Sequence, residues 1–243
     1  MEVRGLRECK ACGTEWSYYE TGSPSCPECG SLYSVGVGTR KLHTDRPMDL
    51  ELDAAIDALE EEDYRQAGEL GEERARKYVH RRGFISAGEL RPLADSYVAA
   101  QEIRYVASHL RTGVHAGRTG TELDLDYVTD LFESAAAGSR PSAAAVPEGL
   151  WDSRGLGVAD AVGDYREAIK TYLDATETAP EIDRALDRLD SHVRRVRALD
   201  GAIEPQSADR LLEAARTIGR YLGEEVEGAA VEAALEALED STH

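Results

Sequence analysis

All four cysteines of this chain lie between Cys9 and Cys29, and the rest of its 243 residues hold none. They are set as two pairs, Cys9-x-x-Cys12 and Cys26-x-x-Cys29, with thirteen residues between the pairs. Glycine follows each pair, at Gly13 and Gly30. Two residues between thiolates allow a tight turn to place both sulfurs on one ion. The glycine accepts the positive φ that such a turn needs, and backbone N–H groups can then point at the sulfurs. Pro27 stiffens the second turn. Two such turns facing each other predict a tetrahedral four-sulfur site with Cys9, Cys12, Cys26 and Cys29 as metal ligands. The donor set suits zinc or iron. Structural zinc is the expectation, and an Fe(Cys)4 centre is the alternative.

The flanking segments TEWSYY and SLYSVGVG carry strand-favouring residues, and ETGSPS between them reads as a turn. A sheet this small has hardly any core, so the metal must supply much of its folding free energy. Trp16, Tyr18 and Tyr33 are expected to cover the site or dock it on the rest of the chain. The window CKACGTEWSYYETGSPSCPECG resembles the zinc ribbon that opens the archaeal and eukaryotic general transcription initiation factor. It also resembles the rubredoxin-like module that ends rubrerythrins, which holds one iron and would imply electron transfer. Both resemblances cover about residues 5 to 40. Rubrerythrins pair that module with a di-iron bundle built on Glu-x-x-His. None of the six histidines here (His43, His80, His109, His115, His192, His243) has Glu three residues before it. The initiation factor continues into paired helical repeats, and no duplicated pattern follows residue 47.

After Pro47 apolar residues recur at spacings of three and four. Leu52, Ile56 and Leu59 predict a first helix. Tyr64, Leu70, Ala75, Tyr78 and Val79 predict a second, weakened at Gly68 and Gly71. Leu90 to Leu110 marks a longer helix ended by Gly113, and Leu123 to Phe132 another. Residues 137–157, AGSRPSAAAVPEGLWDSRGLG, read as a surface connection with Trp151 as an anchor. Val158 resumes the helical period. Thr178 and Pro180 mark a helix start, and Ile182, Leu186, Leu189, Val193 and Val196 form a bundle seam. Two more helices follow. The fold class is thus mainly α: a small N-terminal β zinc ribbon over residues 1–46, then an all-α bundle of about eight helices over 47–243. Taken whole, the chain resembles a haloarchaeal family of ribbon-plus-helix proteins on the stretches WSYYETGSPSCPECGSL, YVHRRGFISAGEL and HVRRVRALDG. That resemblance implies no assigned activity.

The formal net charge is -19, with only four Lys among 28 basic residues. This balance resembles that of proteins from salt-loving archaea. Multi-molar salt shrinks the Debye length to about 3 Å or less, and crowded carboxylates are then tolerated. No apolar run approaches the roughly 20 residues that cross a bilayer, and the N-terminus lacks a signal-peptide core. With the cysteines grouped as ligands, the expected location is the cytoplasm.

Outside the cysteine window no nucleophile elbow, phosphate loop or His-Glu-x-x-His occurs, so no catalytic residue is nominated. One stretch departs from the acidic composition. Between Arg74 and Arg118 nine Arg and Lys face only Glu89, Asp95 and Glu102. Arg74, Lys77, Arg81, Arg104 and Arg111 are candidates for a phosphate- or partner-binding face. The competing expectation is that they pair with carboxylates from other helices. The functional reading is a non-enzymatic interaction module whose partner is a protein or nucleic-acid machinery, with no membrane and no small-molecule substrate. The alternative is a rubredoxin-like electron-transfer protein.

Overall fold

The computed structural model describes residues 1–113, 124–175 and 180–240. Its N-terminal part is a three-stranded antiparallel sheet in the order β2-β1-β3, with β1 at Glu2–Cys9, β2 at Glu15–Ser17 and β3 at Ser34–Leu42. The central strand is the one the sequence hides, because EVRGLREC carries little apolar alternation. Its register on β3 shifts between Arg4 and Leu6, at Gly5. There the ring of Tyr19 covers the backbone so closely that a Cβ would fall 1.9 Å from it. The Tyr19 hydroxyl donates to the Val3 carbonyl at 2.9 Å.

Tyr18 and Tyr19 are therefore not strand residues, as TEWSYY suggests, but open a single helical turn, α1 (Tyr18–Thr21). The turn swings the Tyr19 ring back over β1. Strand β3 begins later than SLYSVGVG implies and continues through GVGTRK to Leu42. Leu32 and Tyr33 precede it, and both are exposed.

Eight helices follow among the described residues. They are α2 (Asp53–Glu60), α3 (Tyr64–Arg81), α4 (Asp95–Gly113), α5 (Leu125–Ala136), α6 (Trp151–Leu173), α7 (Pro180–Ala198), α8 (Pro205–Leu222) and α9 (Gly228–Asp240). The fold is mainly α with a small N-terminal β region. A two-stranded hairpin, β4 (Ile85–Ser86) and β5 (Glu89–Leu90), sits between α3 and α4. Helices α4 and α6 are central: α4 packs on α3, α5 and α6, and α6 also packs on α7 and α8. The α7 seam from Ile182 to Val196 is buried at all five positions, as its 4-3-4-3 spacing requires.

Three sequence expectations change. Gly68 and Gly71 do not weaken α3, which is continuous through both. A Cβ at Gly68 would lie 2.8 Å from the Ala107 carbonyl oxygen, so the missing side chain lets α3 lie on α4. Leu90 and Leu93 precede α4, because the segment before Asp95 is occupied by the hairpin. The 137–157 stretch is a connection with two short 3-10 turns only as far as Leu150, and Trp151 opens α6. Gly157 lies inside that helix because a Cβ there would fall 2.7 Å from the backbone of Glu102 on α4. Glycine here marks a helix crossing rather than a loop. Leu123 and Thr178 lie outside the described residues.

The sheet is tied to the helices through the segment after β3. Thr44 N–H donates to the Ile85 carbonyl (2.8 Å), and Arg46 N–H to the Arg81 carbonyl (3.1 Å). Gly88 N–H donates back to the Leu42 carbonyl at 2.8 Å. Asp45 accepts from Gly83 N–H (3.1 Å) and pairs with Arg82 at 3.2 Å.

Candidate metal centre

The two cysteine turns are built alike. Cys9 ends β1, and its carbonyl accepts from Gly13 N–H at 3.0 Å; the Cys26 carbonyl accepts from Gly30 N–H at 2.9 Å. Gly13 and Gly30 have φ of +77° and +69°, the left-handed region that such turns need. Cys9 N–H donates to the Thr14 carbonyl and Cys26 N–H to the Ser31 carbonyl, closing each turn on itself. The first turn is also pinned to the residue before β3 by Lys10 N–H donating to the Tyr33 carbonyl at 2.9 Å. Each turn holds its first cysteine inward and its second outward: Cys9 and Cys26 are buried, while Cys12 and Cys29 are exposed.

The four Sγ atoms lie within 4.8 Å of one another. Cys9 Sγ is 3.6 Å from Cys29 Sγ, and Cys12 Sγ is 3.6 Å from Cys26 Sγ. A tetrahedron with metal–sulfur bonds of about 2.3 Å has edges of about 3.8 Å, so these residues fit one tetrahedral ion. Ala11 N–H donates to Cys9 Sγ at 3.4 Å. Trp16 is buried against Cys9 and Cys26, and its indole N–H donates to the Ser23 carbonyl at 3.1 Å. Of the aromatic residues expected near the site, Trp16 covers it, Tyr18 packs edge-on against His43, and Tyr33 is exposed.

Crowding shows in the acidities. The Thr14 hydroxyl, helped by the Thr14 backbone, draws the Cys12 thiol down to about 6. For Cys29 the Ser31 backbone also pulls downward, yet the neighbouring thiols and desolvation push it up to about 12. Four sulfurs this close cannot all become thiolates unless a cation lies among them.

A model described as a family of unknown function, DUF7117, matches residues 1–238. The chain belongs to that family. No curated protein and no solved structure matches it.

In this DUF7117 chain two of the basic candidates, Lys77 and Arg111, line one groove with Arg76 and His80, and the others lie elsewhere on α3 and α4. Arg111 pairs with Glu72 on α3, and Arg74 lies 3.9 Å from Glu51. Arg104 turns to Gln101 and lies 3.9 Å from Asp160 on α6. Lys77 and Arg81 are exposed on α3, and the groove that Lys77 and Arg111 line also holds Glu69, Glu72 and Glu73. Among the histidines, His109 faces Asp152 at 3.6 Å. His115, Arg118 and His243 lie outside the described residues.

Sequence reasoning missed a charge network in the helical body of the DUF7117 fold, centred on the fully buried pair Arg154–Glu102 and reaching the surface at Asp95 and Asp209. Arg154 on α6 donates to Glu102 on α4 (2.8 Å), to the Pro141 carbonyl (3.0 Å) and to Asp209 on α8 (3.3 Å). Glu102 also accepts from the Tyr127 hydroxyl. Arg140 bridges Asp209 (2.9 Å) and Asp95 (3.3 Å), and Arg216 pairs with Asp95 at 2.7 Å. No local spacing signals this network, since its members come from four helices and a connecting loop. Among the described residues no helix is long and apolar enough to cross a membrane.

Proposed function

We propose that residues 1–46 form a zinc ribbon whose structural ion is held by Cys9, Cys12, Cys26 and Cys29, and that the ribbon serves as an interaction module carried by the helical domain of residues 47–243. The single observation that carries the reading is the four-sulfur cluster, whose separations match the edges of a tetrahedral ion. Zinc in such a site holds two turns together without redox chemistry. The thiolates stay reduced and ligating in the cytoplasm, which is the proposed location. The ribbon also exposes Leu6, Leu32, Tyr33 and Val35, apolar side chains that a partner can cover.

Metal content and the visible spectrum of the purified chain test the proposal together. One zinc per chain with no visible band is the expected result. One iron per chain with a thiolate charge-transfer band would replace the structural ion with a redox centre.

A further inference from the structure

We propose that a groove on the N-terminal sheet binds the phosphodiester backbone of single-stranded nucleic acid through Arg4, Arg7 and Arg40. The proposal rests on the reading of the ribbon as the partner-binding part of the molecule, and it names the partner's chemistry. The open groove, about 590 Å³, is lined by these three arginines from β1 and β3, with Tyr18 and Pro24 also in the lining.

Arg4 and Arg40 stand directly opposite each other across the β1–β3 ladder. Like charges at opposed positions destabilise a strand pair, and an anion between them removes that cost. The Arg7 guanidinium is already oriented. Its Nε and Nη2 donate to Ser34 Oγ at 3.1 and 2.9 Å, and that hydroxyl donates to the Pro24 carbonyl at 3.0 Å. An oriented guanidinium loses little freedom when it binds an oxyanion.

Among the described residues no ion pair engages Arg4, Arg7 or Arg40. Elsewhere carboxylates neutralise arginines such as Arg111, Arg140 and Arg154. The groove gathers three cations in a chain of net charge -19, with Glu2 as the one carboxylate in its lining.

Arg4 and Arg7 lie three residues apart on β1 and both line the groove, so one strand can meet them with different phosphates. Tyr18 supplies a ring on which a base can stack.

The test is fluorescence anisotropy of a short labelled oligothymidylate with the full metal-loaded chain. Binding is expected to weaken with salt at a log–log slope of about 2, from three contacts at about 0.7 each. Arg4→Gln, Arg7→Gln and Arg40→Gln should each lower that slope by about 0.7 and weaken binding several-fold, while Arg40→Lys keeps the slope. Pyrophosphate should compete. Metal content and far-UV circular dichroism of each variant establish that the sheet is intact. Unchanged binding by a metal-loaded triple variant would overturn the inference, as would equal binding of a labelled polyglutamate. A metal-loaded chain that ignores the oligonucleotide sinks this inference alone. A wild-type chain that binds no metal sinks the ribbon reading beneath it.

Discussion

Glu102 and Arg154 are both fully buried and 52 residues apart in the chain. Two charges removed from water are tolerated only as a well-bonded pair, and removing one partner strands the other at a cost of about 3–5 kcal/mol. Glu102→Leu is therefore expected to destabilise by that amount in denaturant unfolding, and Arg154→Met to do the same. The double variant should cost clearly less than the sum of the two, because it leaves no orphaned charge. Purely additive losses would mean that the pair does not interact. The contrast with the cysteines shows what a sequence displays. Cys9 and Cys12 meet through a turn two residues long, so their partnership is written in their spacing. Glu102 and Arg154 meet only because α4 crosses α6, and neither residue carries a local mark of the other. The same holds for Arg4 and Arg40, which become neighbours only through the strand register.

At the scale of elements, apolar periodicity located the helices well wherever a seam is buried, as in α7. It failed where glycine is a packing residue. Gly157 can be tested by the sign of its replacement. Helix propensity alone makes Gly→Ala stabilising by about 1 kcal/mol. The contact of 2.7 Å that a Cβ would make with the Glu102 backbone forces α6 away from α4 instead. Overpacking of this kind typically costs about 1–3 kcal/mol. Net of the propensity gain the loss is about 1 kcal/mol, so Gly157→Ala should lower Tm by roughly 2–4 °C for a chain of this size. A raised Tm would show that the two helices are free to separate. Strand β1 was hidden for a different reason. Its neighbours on both sides and the cysteine turn fix it as a strand, so its own residues need not alternate.

For the whole molecule the informative position is His43, between the sheet and the helices. Its Nδ1 accepts from Ala87 N–H at 3.4 Å, its Nε2 is buried without a hydrogen-bond partner, and the rings of Tyr18 and Tyr19 pack on it. Burial holds its pKa below the ordinary histidine value, against the opposing charge of Asp45, while the N-terminal ammonium adds to the lowering. The native state thus keeps the ring neutral, whereas the unfolded chain takes up a proton near pH 6.5. The stability this supplies is complete above that pH and is lost as pH falls through the lower folded value. Hydrogen exchange at Thr44, Ala87 and Gly88, corrected for its intrinsic pH dependence, should accelerate as the solution is acidified below about 6.5. The acceleration should be absent in His43→Asn. Equal acceleration in both proteins would assign the effect to carboxylates.

The clasp between Thr44 and Ile85 joins residues 41 positions apart, and this imposes an order on synthesis. All four cysteines leave the ribosome before the segment that the sheet leans on has been made. The whole N-terminal sheet, its four cysteines included, is therefore made before α3 is complete. Only then does Gly83 arrive, bare enough for its backbone to slip against Thr44, where a Cβ would sit 2.5 Å from the carbonyl carbon. On the proposed reading of the cysteines as metal ligands, a chain deprived of its ion would keep its helices and lose the sheet that this latch closes upon.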